Sequence, residues 1–399
     1  MLQDPFAPEE LVRLRADTPG TARVVHLNNA GSALPPQQVV DTVAAYLTEE
    51  ALLGGYELMQ ARQVALDGVR DAVAGLIGAQ GGDEIALLES ATMAWYMAFR
   101  SLNLRAGDVI LTAESEYVSN YLGMLQAAGQ EGVRIRVVPS QADGTVDLDA
   151  LDRLLGEGAS LLALTHMPSN GGLVQPAEAV GALARKHGVC YLLDACQSVG
   201  QYPVDVAAIG CDLLSTTGRK FLRAPRGTGF LYVRRARVGQ LVPPFPDGFS
   251  AVWTGMQDFT WQPDARRFEH FEHSRALRLG LGVAAHYAQT VGIGRIWQRV
   301  RLLADTLRAI LTDIPGVVVE DRGNLQSGIV TFTAGTLDAD EVQQRLLRAG
   351  IHVSVARIGT ARLDMEPRGL HKLLRASVHY YNTTDELHRL GETLTRWCV

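Results

Sequence analysis

The sequence predicts an α/β protein: a large domain on a mostly parallel seven-stranded sheet flanked by helices, then a small C-terminal α+β domain. Three observations carry this. Between residue 26 and about residue 235, short apolar runs alternate with helix-period stretches, the pattern of βαβ units. After a long helical stretch the rhythm changes to strands and helices around a smaller core. The composition suits a large buried interior: of 399 residues, 47% are hydrophobic and 20% charged, close to globular averages. The 40 glycines lie at turns and loop ends rather than in a low-complexity tract.

The elements follow in order. Residues 1–25 read as an arm packing near the small domain, with one short helix in APEELVRLR, opened by Pro8 and two glutamates. EIALLES, GDVILTAES, VRIRVVPS, ASLLALTHM, VCYLLDA, CDLLSTT and GTGFLYVR read as the seven strands. Between them lie helix-period segments such as PQQVVDTVAAYLTEEALL, LDALDRLLGE and PAEAVGALARKHG. PPFPDGFSAVWTGMQDFTWQP is aromatic and Pro-rich and reads as a long functional or interfacial loop. Ser274 to Leu311 reads as long helices. SGIVTFTAG, DADEVQQRLLRAG, IHVSVARIG, LLRASVHYYN and TDELHRLGETLTRW then build the small core. The large domain is expected over 26–285 and the small one over 286–399.

Charge and cysteine content exclude several classes. The net charge is −6, which leaves no basic footprint for nucleic acid and no polybasic membrane patch. Four cysteines, Cys190, Cys196, Cys211 and Cys398, with no C-x-x-C pair, exclude a disulfide scaffold and argue against structural zinc. MLQDPFAPEELVRLR lacks the apolar stretch of a signal peptide, and no apolar run is long enough to span a bilayer. A cytoplasmic protein is expected, with no nucleic-acid, membrane or metal partner. His270 and His273 in FEHFEH lack further ligands and read as a polar helix start. No Walker A, H-E-x-x-H or G-x-G-x-x-G pattern is present.

The densest chemical signal is VCYLLDACQSVGQ followed by CDLLSTTGRKFLRAPRGTGFLYV. Asp194 ends an apolar run, at the carboxyl edge of a parallel strand where open α/β sheets bind ligands. Lys220 follows the next strand. A carboxylate there can keep a heterocyclic nitrogen protonated, and a lysine can form a Schiff base. Each residue alone also has a plain reading, Asp194 as a loop cap and Lys220 as a solvated helix start.

Together they give the chain its resemblance. From HLNNAGSALP to LLRASVHYYNT it resembles the fold-type I pyridoxal-phosphate enzymes of the class V aminotransferase and cysteine desulfurase superfamily. The resemblance implies pyridoxal 5'-phosphate (PLP) held as an internal aldimine on Lys220, which also shuttles protons. It implies that Asp194 pairs with the pyridinium nitrogen and Gln197 with the phenolic oxygen. Ser90, Ala91 and Thr92, at a strand–turn–helix junction, would cup the phosphate, since free backbone N–H groups at a helix start suit an anion. Thr217 and Arg219 flank the lysine and would assist, although desulfurases often place His where Arg219 stands. Tyr117 replaces the desulfurase ring-stacking histidine and would stack instead. Asn170 would touch the cofactor or the substrate carboxylate, and Arg375 would clamp that carboxylate bidentately. Asn29, Ala30 and Gly31 would line the substrate through their backbone. Glu272 stands where a cross-subunit hydroxyl is common. A homodimer with sites at the interface is implied.

The reaction is narrowed by an absence. Desulfurases carry a mobile cysteine in a loop before the substrate arginine. Here that loop, ARIGTARLDMEPRGLHK, has none, and none occurs from Asp212 to Trp397. Persulfide formation is therefore disfavoured. A C–S lyase acting by β-elimination on a cysteine-derived substrate is the leading reading, with class V aminotransferase and isopenicillin N epimerase-like epimerase as alternatives. The loops Pro243–Arg267 and Arg357–Lys372 are expected to set the substrate. A nucleotide-dependent oxidoreductase lacks its glycine fingerprint, and a catalytically dead PLP-fold binder would not retain this residue set.

Overall fold

The computed structural model describes residues 4–398. The first strand, β1 (Val25–His26), is short. The central sheet follows with β2 (Ile85–Leu88), β3 (Val109–Ala113), β4 (Arg134–Val138), β5 (Leu161–Thr165), β6 (Cys190–Asp194), β7 (Leu213–Thr217) and β8 (Gly229–Val233). Their order is β2-β8-β7-β6-β5-β3-β4. β8 runs antiparallel to both neighbours, and the other pairs are parallel. All seven strands coincide with the apolar runs of the sequence.

Those runs are continuous because helices cover both faces of the sheet. Successive residues serve opposite faces. Leu193, Leu214 and Phe230 pack with Val73, Ile77 and Leu281 from helices Gln63–Ile77 and Arg275–Val291. Leu192, Leu213 and Leu231 pack with Trp95 and Phe99 of helix Ala91–Ser101. The sheet is thereby fixed, and so are its strand ends. Register places Thr165 beside Asp194 and Asp194 beside Ser215 at one edge of the layer.

The aromatic stretch after Pro243 departs from the loop expected. It holds a hairpin of β9 (Ala251–Gly255) and β10 (Asp258–Trp261). The Pro residues that suggested a loop all lie outside the two strands, in which aromatic and β-branched side chains predominate. Val252, Trp253, Met256 and Phe259 stand exposed on this hairpin.

Helix Arg275–Val291 ends at Gly292, whose φ of 91° needs glycine. Helix Ile293–Thr312 then enters a second core. There β11 (Val317–Val319), β12 (Ile329–Ala334), β13 (Ile351–His352), β14 (Ser354–Arg357) and β15 (Lys372–Ser377) follow. The antiparallel sheet runs β11-β12-β15-β14, and β13 pairs with β1. Phe332, Leu374, Leu303, Leu307, Leu387 and Leu390 fill this core, joined by Phe6 and Leu14 from the amino-terminal segment. Among the described residues no helix is long and apolar enough to cross a membrane.

Candidate active site

The site gathers at the carboxyl ends of β5, β6 and β7. Asp194 closes β6 and is 4% exposed. One oxygen accepts from the Cys196 backbone N–H at 2.9 Å, the other from Asn120 Nδ2 at 2.7 Å. Both oxygens are thus oriented while keeping lone pairs for a further donor. Lys220 lies in the turn after β7 and is buried, with no ion pair among the described residues. Its Nζ lies 5.8 Å from the centre of the Tyr117 ring. Burial pulls its amine below the ordinary lysine range; Cys196 and Asp194 oppose this, and the Arg219 and Arg375 charges reinforce it.

The chain has only three lysines. Lys186 is exposed and paired with Asp152, and Lys372 is paired with Asp338 and Asp340. Among the described residues, Lys220 alone of the three is buried and free of a carboxylate partner.

Helix Ala91–Ser101 points its start toward this region. Ser90 caps it, its hydroxyl accepting from Met93 N at 3.2 Å. The N–H groups of Ala91 and Thr92 have no hydrogen-bond partner among those described. Gly229 opens β8 against this turn: a Cβ there would lie 2.6 Å from Thr216 O and 2.7 Å from Ser90 C. Only glycine lets the strand and the helix start approach so closely. Thr217 faces Gly229 across the strands and donates its hydroxyl to Thr228 O at 3.2 Å.

Arg375, on β15, reaches across from the second sheet. It donates to Ser169 O at 2.7 Å and to Asn28 Oδ1 at 3.3 Å, and its Nε is enclosed without a partner. Burial lowers its pKa to about 10, helped by the Arg219 charge, so it stays cationic at neutral pH. Arg219 donates to Gly31 O. Gln197 donates to Ala30 O at 3.2 Å and Ser169 Oγ at 2.9 Å, leaving Oε1 buried and unpartnered.

The Asn29–Gly31 loop is more committed than the sequence suggests. Asn29 is fully buried, donating to Ser377 O and accepting from the Tyr381 hydroxyl. The Ala30 N–H is taken by Ser377 Oγ and the Gly31 N–H by Asn28 O. Asn170 is buried and donates to Asp364 Oδ2 at 3.3 Å, tying it to the Arg357–Lys372 segment. His270 pairs with Glu89 at 3.0 Å and His273 bonds its own turn.

Three neighbours went unnoticed in the sequence. Glu116 and Asn120 stand behind Tyr117 and Asp194. Their i, i+4 spacing at a helix start was the available signal. Cys196 shares the pocket: Asp194 and burial hold its thiol well above the usual cysteine range. The side chain of Cys398 lies outside the described residues.

The arrangement fits a ligand with two anionic groups and polar ring substituents. Lys220, Arg219 and Arg375 repel one another with Asp194 as the anion among them. Gln197 Oε1 and Arg375 Nε lack partners, and buried polar atoms are rarely left so. This fit rests on chemistry rather than cavity size, since a cavity of about 800 Å³ lies elsewhere, between the first helix and helix Arg275–Val291.

The family described as Aminotransferase class-V matches residues 25–390. The chain belongs to this class-V aminotransferase family. It is accordingly a PLP-dependent enzyme. A cysteine desulfurase of Salmonella agona is 31% identical over 398 residues, covering 96% of this chain and 97% of the relative. Among solved structures, the cysteine desulfurase of Thermococcus onnurineus NA1 superposes with TM-score 0.91 at 25% identity, covering 98% of each chain. The cystine C–S lyase C-DES superposes with TM-score 0.85 at 23% identity, covering 95% of this chain and 99% of that one, a likeness of fold. This class-V enzyme therefore has relatives named for desulfuration.

Proposed function

We propose that this class-V enzyme is a C–S lyase that eliminates the β-substituent of a cysteine-derived amino acid. The observation that carries the reading is Lys220, the one buried lysine without an ion-pair partner among the described residues, whose amine feels both Asp194 and Arg375, in a chain whose Arg357–Lys372 loop has no cysteine. The bound cofactor supplies an electron sink for a Cα carbanion.

The chain's own residues divide the rest. Lys220 Nζ, drawn toward neutrality by burial, removes and returns the Cα proton. Asp194, held by Asn120 and the Cys196 N–H, keeps the ring nitrogen protonated. The Ser90–Thr92 helix start and Thr217 would hold the phosphate, Tyr117 would cover the ring and Gln197 would meet its phenolic oxygen. Arg375 fixes the substrate carboxylate and so orients the Cα–H bond. Arg219, engaged with Gly31, steadies the substrate loop. The Asn170–Asp364 hydrogen bond ties the Arg357–Lys372 segment to the turn that carries Asn170.

A persulfide-forming desulfurase is the second reading, favoured by the names of the relatives and by Cys196 in the pocket. Transamination and epimerisation share the same first proton transfer. One experiment separates them: incubate the holoenzyme with amino acids and cysteine conjugates, and follow pyruvate, ammonia, sulfide and 2-oxoacids together. Pyruvate with ammonia supports elimination. Amino transfer dependent on a 2-oxoacid, inversion at Cα, or sulfur release as alanine and persulfide sinks it. A variant lacking all four cysteines keeps its turnover under the lyase reading and loses it under desulfuration. A homodimer is part of the proposal, supported by the exposed Trp253, Met256 and Phe259 of the hairpin; an active monomer by light scattering contradicts it.

A further inference from the structure

Glu116 lies in the turn between β3 and helix Val118–Glu131 and is 3% exposed. A carboxyl so deep is costly unless its environment requires it. Its surroundings are fully specified. Oε1 accepts from Tyr117 N at 2.7 Å, Asn120 Nδ2 at 2.9 Å and the Thr165 hydroxyl at 2.5 Å. Oε2 accepts from the Thr112 hydroxyl at 2.8 Å. The four partners come from β3, β5 and the helix start, so one side chain joins three elements.

Asn120 makes this more than a structural knot. The same Nδ2 that donates to Glu116 donates its other hydrogen to Asp194 Oδ2 at 2.7 Å. An amide nitrogen has two hydrogens, and here each meets a carboxylate. Reversing the amide would set its oxygen against both, so the orientation is fixed by its partners. Burial pushes the Glu116 carboxyl above its ordinary range, the Asp194 charge adding to this against the hydrogen bonds of Thr165 and Asn120. The Tyr117 N–H is held by the same carboxyl, which ties the covering ring and the ring-nitrogen partner to one anchor.

We infer that Glu116 and Asn120 are positioning residues that set the orientation of Asp194 toward the cofactor's ring nitrogen. This rests on the proposed role of Asp194. Glu116 touches neither substrate nor cofactor; it acts through Asn120 and Tyr117.

The test compares PLP-loaded Glu116→Ala, Glu116→Gln and Asn120→Ala with wild type. Four quantities are read: kcat, KM, the NMR shift of an isotope-labelled cofactor ring nitrogen, and cofactor retained on dialysis. Asn120→Ala leaves Glu116 three other donors, so it keeps the buried acid satisfied even if Glu116→Ala folds poorly. The alanine variants are expected to lose about 10- to 100-fold in kcat with KM changed little. Their ring-nitrogen signal moves toward the unprotonated form, and they lose cofactor faster. Glu116→Gln recovers most of each, because Thr112 can turn its hydroxyl to accept. Asn120→Ala with a wild-type ring-nitrogen signal overturns the inference, whatever its turnover. So does Glu116→Gln as impaired as Glu116→Ala. If wild type itself shows no protonated ring nitrogen, or no lysine-bound cofactor, the proposed role of Asp194 fails instead.

Discussion

Replacing Arg375 with alanine is expected to weaken substrate capture while leaving the cofactor bound. The guanidinium has one strong bond, to Ser169 O at 2.7 Å, one long bond to Asn28 Oδ1 at 3.3 Å, and an unpartnered Nε. Nε has no protein partner, and a substrate carboxylate meeting the Nε edge would complete a two-bond fork. Charge-assisted bonds contribute about 1.5–3 kcal/mol each, so the pair is worth about 3–6 kcal/mol. At about 1.4 kcal/mol per decade, KM rises by roughly two to four decades. Arg375→Lys keeps a charge but not the fork, and falls between. The assay is steady-state kinetics on the best substrate of the panel, with visible absorbance confirming cofactor load. A folded, loaded Arg375→Ala enzyme whose KM stays within about twofold of wild type refutes the clamp.

Two further outcomes follow from packing and titration. Gly229→Ala places a Cβ against Thr216 O and Ser90 C; overpacking of about 1–3 kcal/mol spreads the helix start, and the PLP dissociation constant of the apoenzyme rises about tenfold or more. An unchanged constant by fluorescence titration removes the Ser90 turn from the phosphate site. His26 and His166 are each held down to about 4 by burial, from 6.5. The unfolded chain takes up those protons first, so stability is present above about pH 6.5 and lost as pH falls toward 4, by at most about 3 kcal/mol for each residue. Urea midpoints at neutral and mildly acid pH check this, and a flat profile contradicts it.

The seven strands were legible because a sheet covered on both faces leaves unbroken apolar runs. Asp194 and Lys220 were legible because strand ends in such a sheet are where ligands gather. The hairpin was obscured by the prolines on either side of it. The Glu116–Asn120–Asp194 chain was hidden for a different reason. Asn120 and Asp194 are 74 residues apart and meet only through the strand order. Arg219 could be placed beside Lys220, but its turn toward Gly31 depends on a loop nearly two hundred residues earlier in the chain. The same holds for the Asn29–Gly31 loop, whose donors are taken by β15 and its flanks.

The most direct test of the account is reduction of the PLP-loaded protein with borohydride, followed by peptide mapping. Reduction fixes a lysine-bound cofactor in place, and the chain offers only Lys186, Lys220 and Lys372. The pyridoxyl label is expected on Lys220 alone, with no label in Lys220→Ala. A label on Lys186 or Lys372, or none on any lysine, contradicts it.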